Sequence, residues 1–191
     1  MELAMRLGDK RGMAGAYRNF GLAYGDQNKY FKAFKNFRKG LKIDRELNDK
    51  QGEGGALCNI GNLYSQLMYL NKAMDSYYKA KAILEEIDYK PFLANTDMGI
   101  GWVHIKKMEY TQAIDYYKQA FELYKATDNK GKMAASCNAL SWLYFQKDKY
   151  KDAEDNALLA LIFARDVEYT QGINQANGML DKIHALEQKK K

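Results

Sequence analysis

Few residues of this 191-residue chain have the types and spacing that catalysis or metal binding requires. The segment Gly52-Glu53-Gly54-Gly55 has the composition of a phosphate-binding loop. It follows no predicted strand, however, lacks the required spacing and falls at a predicted helix start. The acidic pair Glu85-Glu86 is expected to face solvent. No Ser/His/Asp or Cys/His set converges, so we predict that the chain is not an enzyme and uses no metal or cofactor.

Residues that recur at a fixed spacing are more informative than those that could do chemistry. Alanines recur every 40 residues, and small and aromatic residues recur in the same register. The series are Ala33/Ala73/Ala113/Ala153, Gly21/Gly61/Gly101/Ser141, Tyr24/Tyr64/His104/Tyr144 and Tyr30/Leu70/Tyr110/Tyr150. A fixed period predicts one supersecondary unit stacked several times. Helical spacing of apolar residues on both sides of a break at 25–28 predicts two helices per unit.

The recurring glycines predict how the two helices of a unit pack. Glycine inside a helix costs about 1 kcal/mol relative to alanine, so its recurrence indicates close approach of the paired helices. The second-helix alanines are expected to face the glycines, and the tyrosines to fill the gaps between pairs. His104 and His184 both hold the tyrosine position, two repeats apart. We therefore predict packing residues rather than ligands of one metal.

The paired residues on the first helix resemble the tetratricopeptide repeat. Its Leu-Gly-like pair corresponds to Phe20-Gly21, Ile60-Gly61, Ile100-Gly101 and Leu140-Ser141. Its second-helix aromatic corresponds to Phe37, Tyr77 and Tyr117, with Ala157 as the departure. The period is longer than usual and the family's proline is absent, which favours the long-repeat branch of kinesin light chains, Leu-Gly-Asn spindle-orientation proteins and bacterial sensors and regulators. The resemblance implies an all-α fold, a right-handed superhelical solenoid of antiparallel helix pairs with about four repeats and partial end helices.

The period also predicts one solenoid domain with defined repeat boundaries. Repeats one to four are expected at 9–48, 49–88, 89–128 and 129–168. Residues 1–8 would end a preceding repeat's second helix, and 169–191 would form a capping helix with a lysine tail. Because the first segment lacks the start of its helix, we expect either that the chain is part of a longer protein or that its N-terminus is unusually abrupt.

The resemblance further implies that the first helices line a concave groove that holds an extended peptide or a helix. Carried over by position, the groove residues are Arg18, Asn19, Leu22, Asn59, Asn62, Gln66, Asn95, Met98, Trp102, Ile105, Lys106, Asn138, Trp142, Phe145 and Gln146. Long-repeat proteins use asparagines at the Asn19 and Asn59 positions to hydrogen-bond a ligand's main chain. Gly99 and Ala139 stand there in the later repeats, so this contact is expected only in the first two.

Trp102 and Trp142 hold one repeat position on the predicted concave side. With Met98, Ile105 and Phe145 they would form an apolar wall, a composition typical of recognition surfaces. The alternative is that the tryptophans pack against each other and the inner helices and stiffen the solenoid.

The charge of the chain is modestly positive, with a net value of +6. One face of a predicted second helix carries Lys32, Lys35, Lys39 and Lys42, with Arg38 nearby. Such a stripe is either a docking surface for an acidic partner or nucleic acid, or a solvated outer face, and the second interpretation is favoured. The aromatic residues of that helix, Phe31, Phe34 and Phe37, are expected in the core.

The two cysteines are predicted to be free thiols. Cys58 and Cys137 lie two repeats apart, on the order of 20 Å, which is too far for a disulfide. We expect Cys137 in the core and Cys58 facing the groove. Free thiols favour a reducing compartment, the cytoplasm, with the periplasm as the alternative if the chain belongs to a membrane sensor. No apolar run is long enough to span a membrane.

These observations favour a scaffold or sensory module that binds a peptide or protein segment in its concave groove, as part of a larger signalling protein. The alternative is a homo-oligomerisation module that packs against a copy of itself and has no dedicated peptide ligand. Nucleic-acid binding through the lysine stripe is the least favoured interpretation.

Overall fold

A computed structural model describes residues 9–188, apart from the side chain of Glu187. Over these residues nine α-helices follow one another without a strand, which confirms the all-α prediction. They are α1 (Lys10–Asp26), α2 (Tyr30–Glu46), α3 (Lys50–Gln66), α4 (Leu70–Glu86), α5 (Lys90–Lys106), α6 (Tyr110–Ala126), α7 (Lys130–Gln146), α8 (Tyr150–Asp166) and α9 (Thr170–Gln188). The expectations for residues 1–8 and for the tail at 189–191 lie outside the described residues.

The helices belong to two compact units, one ending at Val103 and the other beginning at His104. In the first unit α1 packs on α2, α2 on α3 and α3 on α4, and α1 also contacts α3. In the second unit α6 packs on α7, α7 on α8 and α8 on α9, and α7 also contacts α9. The odd-numbered helices are the first helices of the repeats, and α1 lies beside α3 in the first unit and α7 beside α9 in the second. We call the surface that they present the first-helix face.

Each linker between consecutive helices ends the preceding helix in the same way. One residue per linker has a positive φ, and five of these eight residues are Asn or Asp, which tolerate the left-handed region best among side-chain-bearing residues. The next N–H then bonds back to the last helical turn, as in Asp49 N to Asp44 O and Tyr169 N to Ala164 O, both 2.8 Å. Because each helix ends in the same way, consecutive helices begin at a constant spacing along the chain.

Side-chain caps begin three of the first helices. Asp9, Asp49 and Asn129 each accept a hydrogen bond from the backbone N–H three residues later, at 2.8, 2.9 and 3.1 Å. A cap satisfies one of the free N–H groups in the first helical turn. The recurring Asp/Asn before a lysine is thus a helix-start signal in this chain.

Glycine makes room for an aromatic ring between the paired helices. A Cβ atom on Gly21 would lie 2.5 Å from the Phe37 ring, and one on Gly61 would lie 2.6 Å from the Tyr77 ring. The ring, rather than the alanine methyl that we expected, is therefore closest to the glycine. In the fourth repeat Ser141 donates to Ala153 O at 2.6 Å, and Ala157 stands where the ring would be. In this repeat serine replaces the smaller glycine of the first helix, and alanine replaces the larger aromatic residue of the second helix.

Two expectations about burial were wrong. Phe31 is 83% exposed rather than in the core, because it lies on the outer side of α2, whereas Phe37 is 1% exposed. Cys58 is 1% exposed rather than open to a groove. It lies on α3, which packs against α1, α2 and α4 and so is surrounded in the first unit. Cys137 is a core residue as predicted, and burial raises the pKa of its thiol to about 12.

Candidate functional site on the first helices

In the first unit, the first-helix face presents unpaired amide side chains. Asn19 on α1 is exposed and Asn59 on α3 is half-buried, and neither has a hydrogen-bond partner among residues 9–188. Leu22 and Gln66 are exposed on the same two helices. An amide side chain can donate and accept at once, so this pair of neighbouring helices can hydrogen-bond both polar groups of a peptide main chain.

Arg18, another predicted groove residue, is committed to an ion pair. Its Nη1 donates to both carboxylate oxygens of Asp44, at 2.5 and 2.7 Å. The Asp44 side chain is fully buried, and the Arg18 side chain is 24% exposed. Burial raises the pKa of Asp44 above its ordinary value, although Arg18 draws it down. Arg18 thus ties α1 to α2 and has only part of its guanidinium available to a ligand.

A pocket of about 380 Å³ lies in the same unit, and several of its lining residues were not predicted from the sequence. The lining residues are Arg11, Arg18, Asp49, Gln51, Gly52 and Phe92. Arg11, Gln51 and Phe92 lie on the N-terminal halves of first helices, upstream of most of the predicted positions. The glycine run in α3 is the sequence feature that could have indicated Phe92, because a Cβ atom on Gly55 would lie 3.0 Å from the Phe92 ring. The run makes room for this aromatic residue on α5.

Tyr77 explains why asparagine does not recur at position 99. The Tyr77 ring is 1% exposed, and its hydroxyl donates to Asn62 Oδ1 at 2.7 Å and lies 3.1 Å from Ser65 Oγ. A Cβ atom on Gly99 would overlap the far end of this ring. An asparagine at position 99 therefore has no space. Asn62 is likewise engaged by Tyr77 and is less available to a ligand than Asn19 or Asn59.

The remaining predicted residues of the first unit lie on α5. Asn95, Met98 and Trp102 are half-buried. The Asn95 amide donates to Pro91 O at 3.0 Å, which satisfies part of its hydrogen-bonding capacity within its own helix. Met98 and Trp102 contribute partly exposed apolar surface on this helix.

In the second unit the predicted aromatic residues both pack and remain partly exposed. The Trp142 ring meets the Tyr110 ring edge-on, with centroids 5.8 Å apart, and the Phe145 ring lies 5.5 Å from that of Tyr150. Trp142 and Phe145 are half-buried against a core cluster that includes Ala157 and Met179. Each aromatic side chain therefore stabilises the unit and leaves a partly exposed surface.

The other predicted residues of the second unit are more polar. Ile105 is half-buried, and Lys106 and Gln146 are exposed. Asn138 donates to Gly172 O at 3.1 Å, so this amide joins α7 to α9. The amide at the predicted groove position of this unit is therefore engaged within the unit.

The two histidines differ in their surroundings. His104 is 8% exposed, and its ring stacks on Tyr116 with centroids 5.4 Å apart. Its Nδ1 lies 2.6 Å from Glu109 Oε2. The packing prediction fits His104 but not His184, which is exposed and lies 3.2 Å from Glu154. Residues 9–188 contain no group of three His, Cys, Asp or Glu side chains that could hold a metal ion.

Within the described part of the chain, no helix has both the length and the apolar character that crossing a membrane requires.

Sequence models of the tetratricopeptide repeat match most of the chain. One matches residues 92–161, and another matches residues 14–47 and 54–83. No curated protein sequence matches the chain.

Several solved structures share the fold at low sequence identity. BtubC (BKLC) from P. vanneervenii is 17% identical, with a TM-score of 0.77 over 97% of this chain and 86% of that one. Aspartyl phosphate phosphatase F from Bacillus subtilis is 13% identical, with a TM-score of 0.84 over 90% of this chain and 45% of that one. The Rap conjugation gene regulator of plasmid pLS20, in complex with the Phr* peptide, is 14% identical, with a TM-score of 0.80 over 94% of this chain and 52% of that one. The chain thus spans about half the length of the latter two.

Proposed function

Because the chain belongs to the tetratricopeptide repeat family, we propose that it is a protein–protein interaction scaffold. Its first-helix face would bind an extended peptide or protein segment. The observation that carries this proposal is the pair Asn19 and Asn59, two unpaired amides at the same repeat position on the contacting helices α1 and α3. The peptide complex of the Rap regulator, which shares the fold, supports this type of ligand.

The spacing of the two asparagines suits a peptide main chain. Packed helices lie about 8–10 Å apart, and an extended chain rises about 3.3 Å per residue. Asn19 and Asn59 would therefore contact main-chain groups about three residues apart. Such contacts hold the backbone without selecting side chains. Selection would come from exposed neighbours such as Leu22 and Gln66.

The second unit would contribute apolar contacts of its own. Trp142 and Phe145 are partly exposed aromatic residues on α7, and large aromatic side chains dominate binding energies at interfaces. In this proposal the chain is the sensory or scaffolding part of a larger signalling protein, and it has no catalytic role.

Removing the two amides should weaken peptide binding strongly. The probe is a dodecapeptide selected from a random library on the variant Phe31→Ser/Arg38→Glu, so that binding to the basic outer side of α2 is excluded. In this background we expect Asn19→Ala/Asn59→Ala to raise the Kd of the peptide by about tenfold or more. Each lost hydrogen-bonding partner is worth about 1 kcal/mol, and 1.4 kcal/mol corresponds to a factor of ten. Fluorescence anisotropy with the labelled peptide measures the change.

The control removes two amides from second helices. Asn36→Ala/Asn71→Ala should leave the Kd unchanged, since both residues lie on the opposite helices of their repeats. Equal Kd values with and without Asn19→Ala/Asn59→Ala in this background would refute the main-chain clamp.

Self-association is the second candidate function, and α8 supports it. Leu158, Leu159 and Ile162 are 44%, 42% and 56% exposed on this helix. The corresponding positions of the first repeat hold Arg38, Lys39 and Lys42. Exposed apolar residues that cluster on one helix are typical of an interface.

If α8 is a dimer interface, charge on this helix should abolish the dimer. The self-association hypothesis predicts a molar mass that rises with concentration for the wild-type protein and stays monomeric for Leu159→Glu/Ile162→Glu. Light scattering over a range of protein concentrations measures the molar mass. A wild-type mass that is monomeric throughout would eliminate this candidate.

A further inference from the structure

A second pocket in the first unit is formed mainly by α2. Its volume is about 490 Å³, and it is lined by Phe31, Phe34, Lys35 and Arg38 of α2 and by Tyr64 at the end of α3. The Phe34 and Tyr64 rings pack with centroids 4.8 Å apart and form one wall. Phe31 projects into solvent at 83% exposure. The pocket therefore combines a fixed aromatic wall with an unburied aromatic side chain.

The rim of this pocket is positively charged and unneutralised. From residue 30 to residue 43, α2 carries five basic residues and no acidic one. Lys32 and Lys39 lie over the Tyr24 and Tyr17 rings, at 5.6 and 5.1 Å from the centroids. Lys35 and Arg38, in contrast, form no ion pair with any of residues 9–188. The two cations at the pocket are thus the ones available to an external carboxylate.

The other repeats show that the fold does not require these residues. Where the first repeat has Lys35, the next three have Asp75, Asp115 and Asp155. Where the first repeat has Phe31, they have Asn71, Thr111 and Lys151. The position of Lys35 is thus acidic in the three other repeats. It is basic only in the repeat that exposes Phe31 one helical turn away. Helix packing alone gives no reason for this combination.

We propose that this pocket is a second docking site, whose ligand is an acidic peptide segment of a partner protein that carries one large apolar side chain. The apolar side chain enters between Phe31 and the Phe34–Tyr64 wall, where aromatic contact gives the binding energy. Flanking carboxylates pair with Lys35 and with Arg38, whose guanidinium binds a carboxylate bidentately. The site is formed by α2 and by Tyr64 of α3, and it does not depend on the function proposed for Asn19 and Asn59.

A random dodecapeptide library tests the proposal. It is panned on the full chain and counter-selected on the surface variant Phe31→Ser/Arg38→Glu. Retained peptides should contain several Asp or Glu residues around a single Phe, Trp or Leu. Their Kd, measured by anisotropy, should rise about tenfold or more for Phe31→Ser and for Arg38→Glu separately, and should rise with salt concentration.

Two control variants distinguish peptide binding at this pocket from a general effect of surface charge and from binding at the first-helix face. Lys151→Glu makes a charge reversal at the fourth-repeat position that corresponds to Phe31, and it should leave the Kd unchanged. Asn19→Ala/Asn59→Ala should also leave the Kd unchanged. Failure of the first-helix proposal therefore does not affect this result.

Several outcomes would overturn the proposal. One is a library that yields no peptide able to distinguish the two proteins, and another is a set of retained peptides without acidic residues. Displacement of the peptide by a 20-nucleotide poly-dT strand would make the pocket a nucleic-acid site instead. A molar mass that falls to monomer in Phe31→Ser would make it an interface between two copies of the chain.

Discussion

Replacing Arg18 with methionine is expected to destabilise the protein by about 3 kcal/mol at pH 7. Asp44 is fully buried, and Arg18 Nη1 is the group that neutralises it, at 2.5 and 2.7 Å. Methionine keeps much of the apolar stem of arginine but leaves a buried carboxylate without its partner. Breaking a buried ion pair on one side typically costs 3–5 kcal/mol, about the same range as a large core truncation.

The loss should depend on pH in a defined direction. Burial raises the pKa of Asp44, and Arg18 lowers it, so removing Arg18 moves this pKa further above the value in the unfolded chain. Between the two pKa values the folded state then binds more protons than the unfolded state. Stability therefore falls as pH rises through that window. Urea unfolding at pH 5 and pH 7 should show a smaller difference between Arg18→Met and the wild-type protein at pH 5.

An exposed ion pair provides the matched control. Lys79 and Asp75 are 2.7 Å apart on α4 with both side chains largely exposed, and Lys79→Met should cost about 0.5 kcal/mol or less. Equal stabilities of Arg18→Met and Lys79→Met would show that Arg18 is not a structural residue. A destabilisation that grows on acidification would contradict the assignment of the buried charge to Asp44.

Gly61→Ala is expected to destabilise the protein by about 2 kcal/mol, although alanine is the better helix former by about 1 kcal/mol. The added methyl would lie 2.6 Å from the Tyr77 ring. That ring cannot withdraw, because its hydroxyl is held by Asn62 and Ser65 and its far end abuts Gly99. Overpacking of this kind costs about 1–3 kcal/mol or more. Thermal unfolding should show a melting temperature lower by about 4–8 °C.

Gly15→Ala is the control for Gly61→Ala. Its Cβ would come no closer than 3.9 Å to any neighbour, Arg18 Nη2, so helix propensity alone should stabilise the protein slightly. In a Tyr77→Ala background Gly61→Ala should become neutral or stabilising, since the ring is absent. A similar destabilisation with and without Tyr77 would show that the glycine is needed for another reason.

The fold followed from the sequence because the repeat constrains it at every position. The 40-residue period predicted helix pairs, and the recurring Gly21 and Gly61 predicted close packing. The identity of the packed group was missed: a Cβ on either glycine would meet an aromatic ring first. That partner depends on which side chains extend across the helix interface, and spacing along the chain does not specify it.

The candidate site was predicted less completely than the fold. Position alone placed Asn19 and Asn59 on neighbouring first helices. Repeat position could not predict the ion pair between Arg18 and Asp44, because 26 residues separate them. It also placed Phe31 in the core, since an aromatic residue near Phe34 and Phe37 suits an apolar stripe. Which side of α2 faces solvent is decided by the helices that pack around it.

Amide chemical-shift mapping would locate a bound peptide on the first-helix face. The probe is the tightest dodecapeptide selected from the random library on Phe31→Ser/Arg38→Glu, in which the second pocket is disabled. We expect shifts in the ¹⁵N-labelled variant to concentrate on α1 and α3 and to include the side-chain amides of Asn19 and Asn59. Shifts confined to even-numbered helices, or a library that yields no binder, would contradict peptide binding on this face.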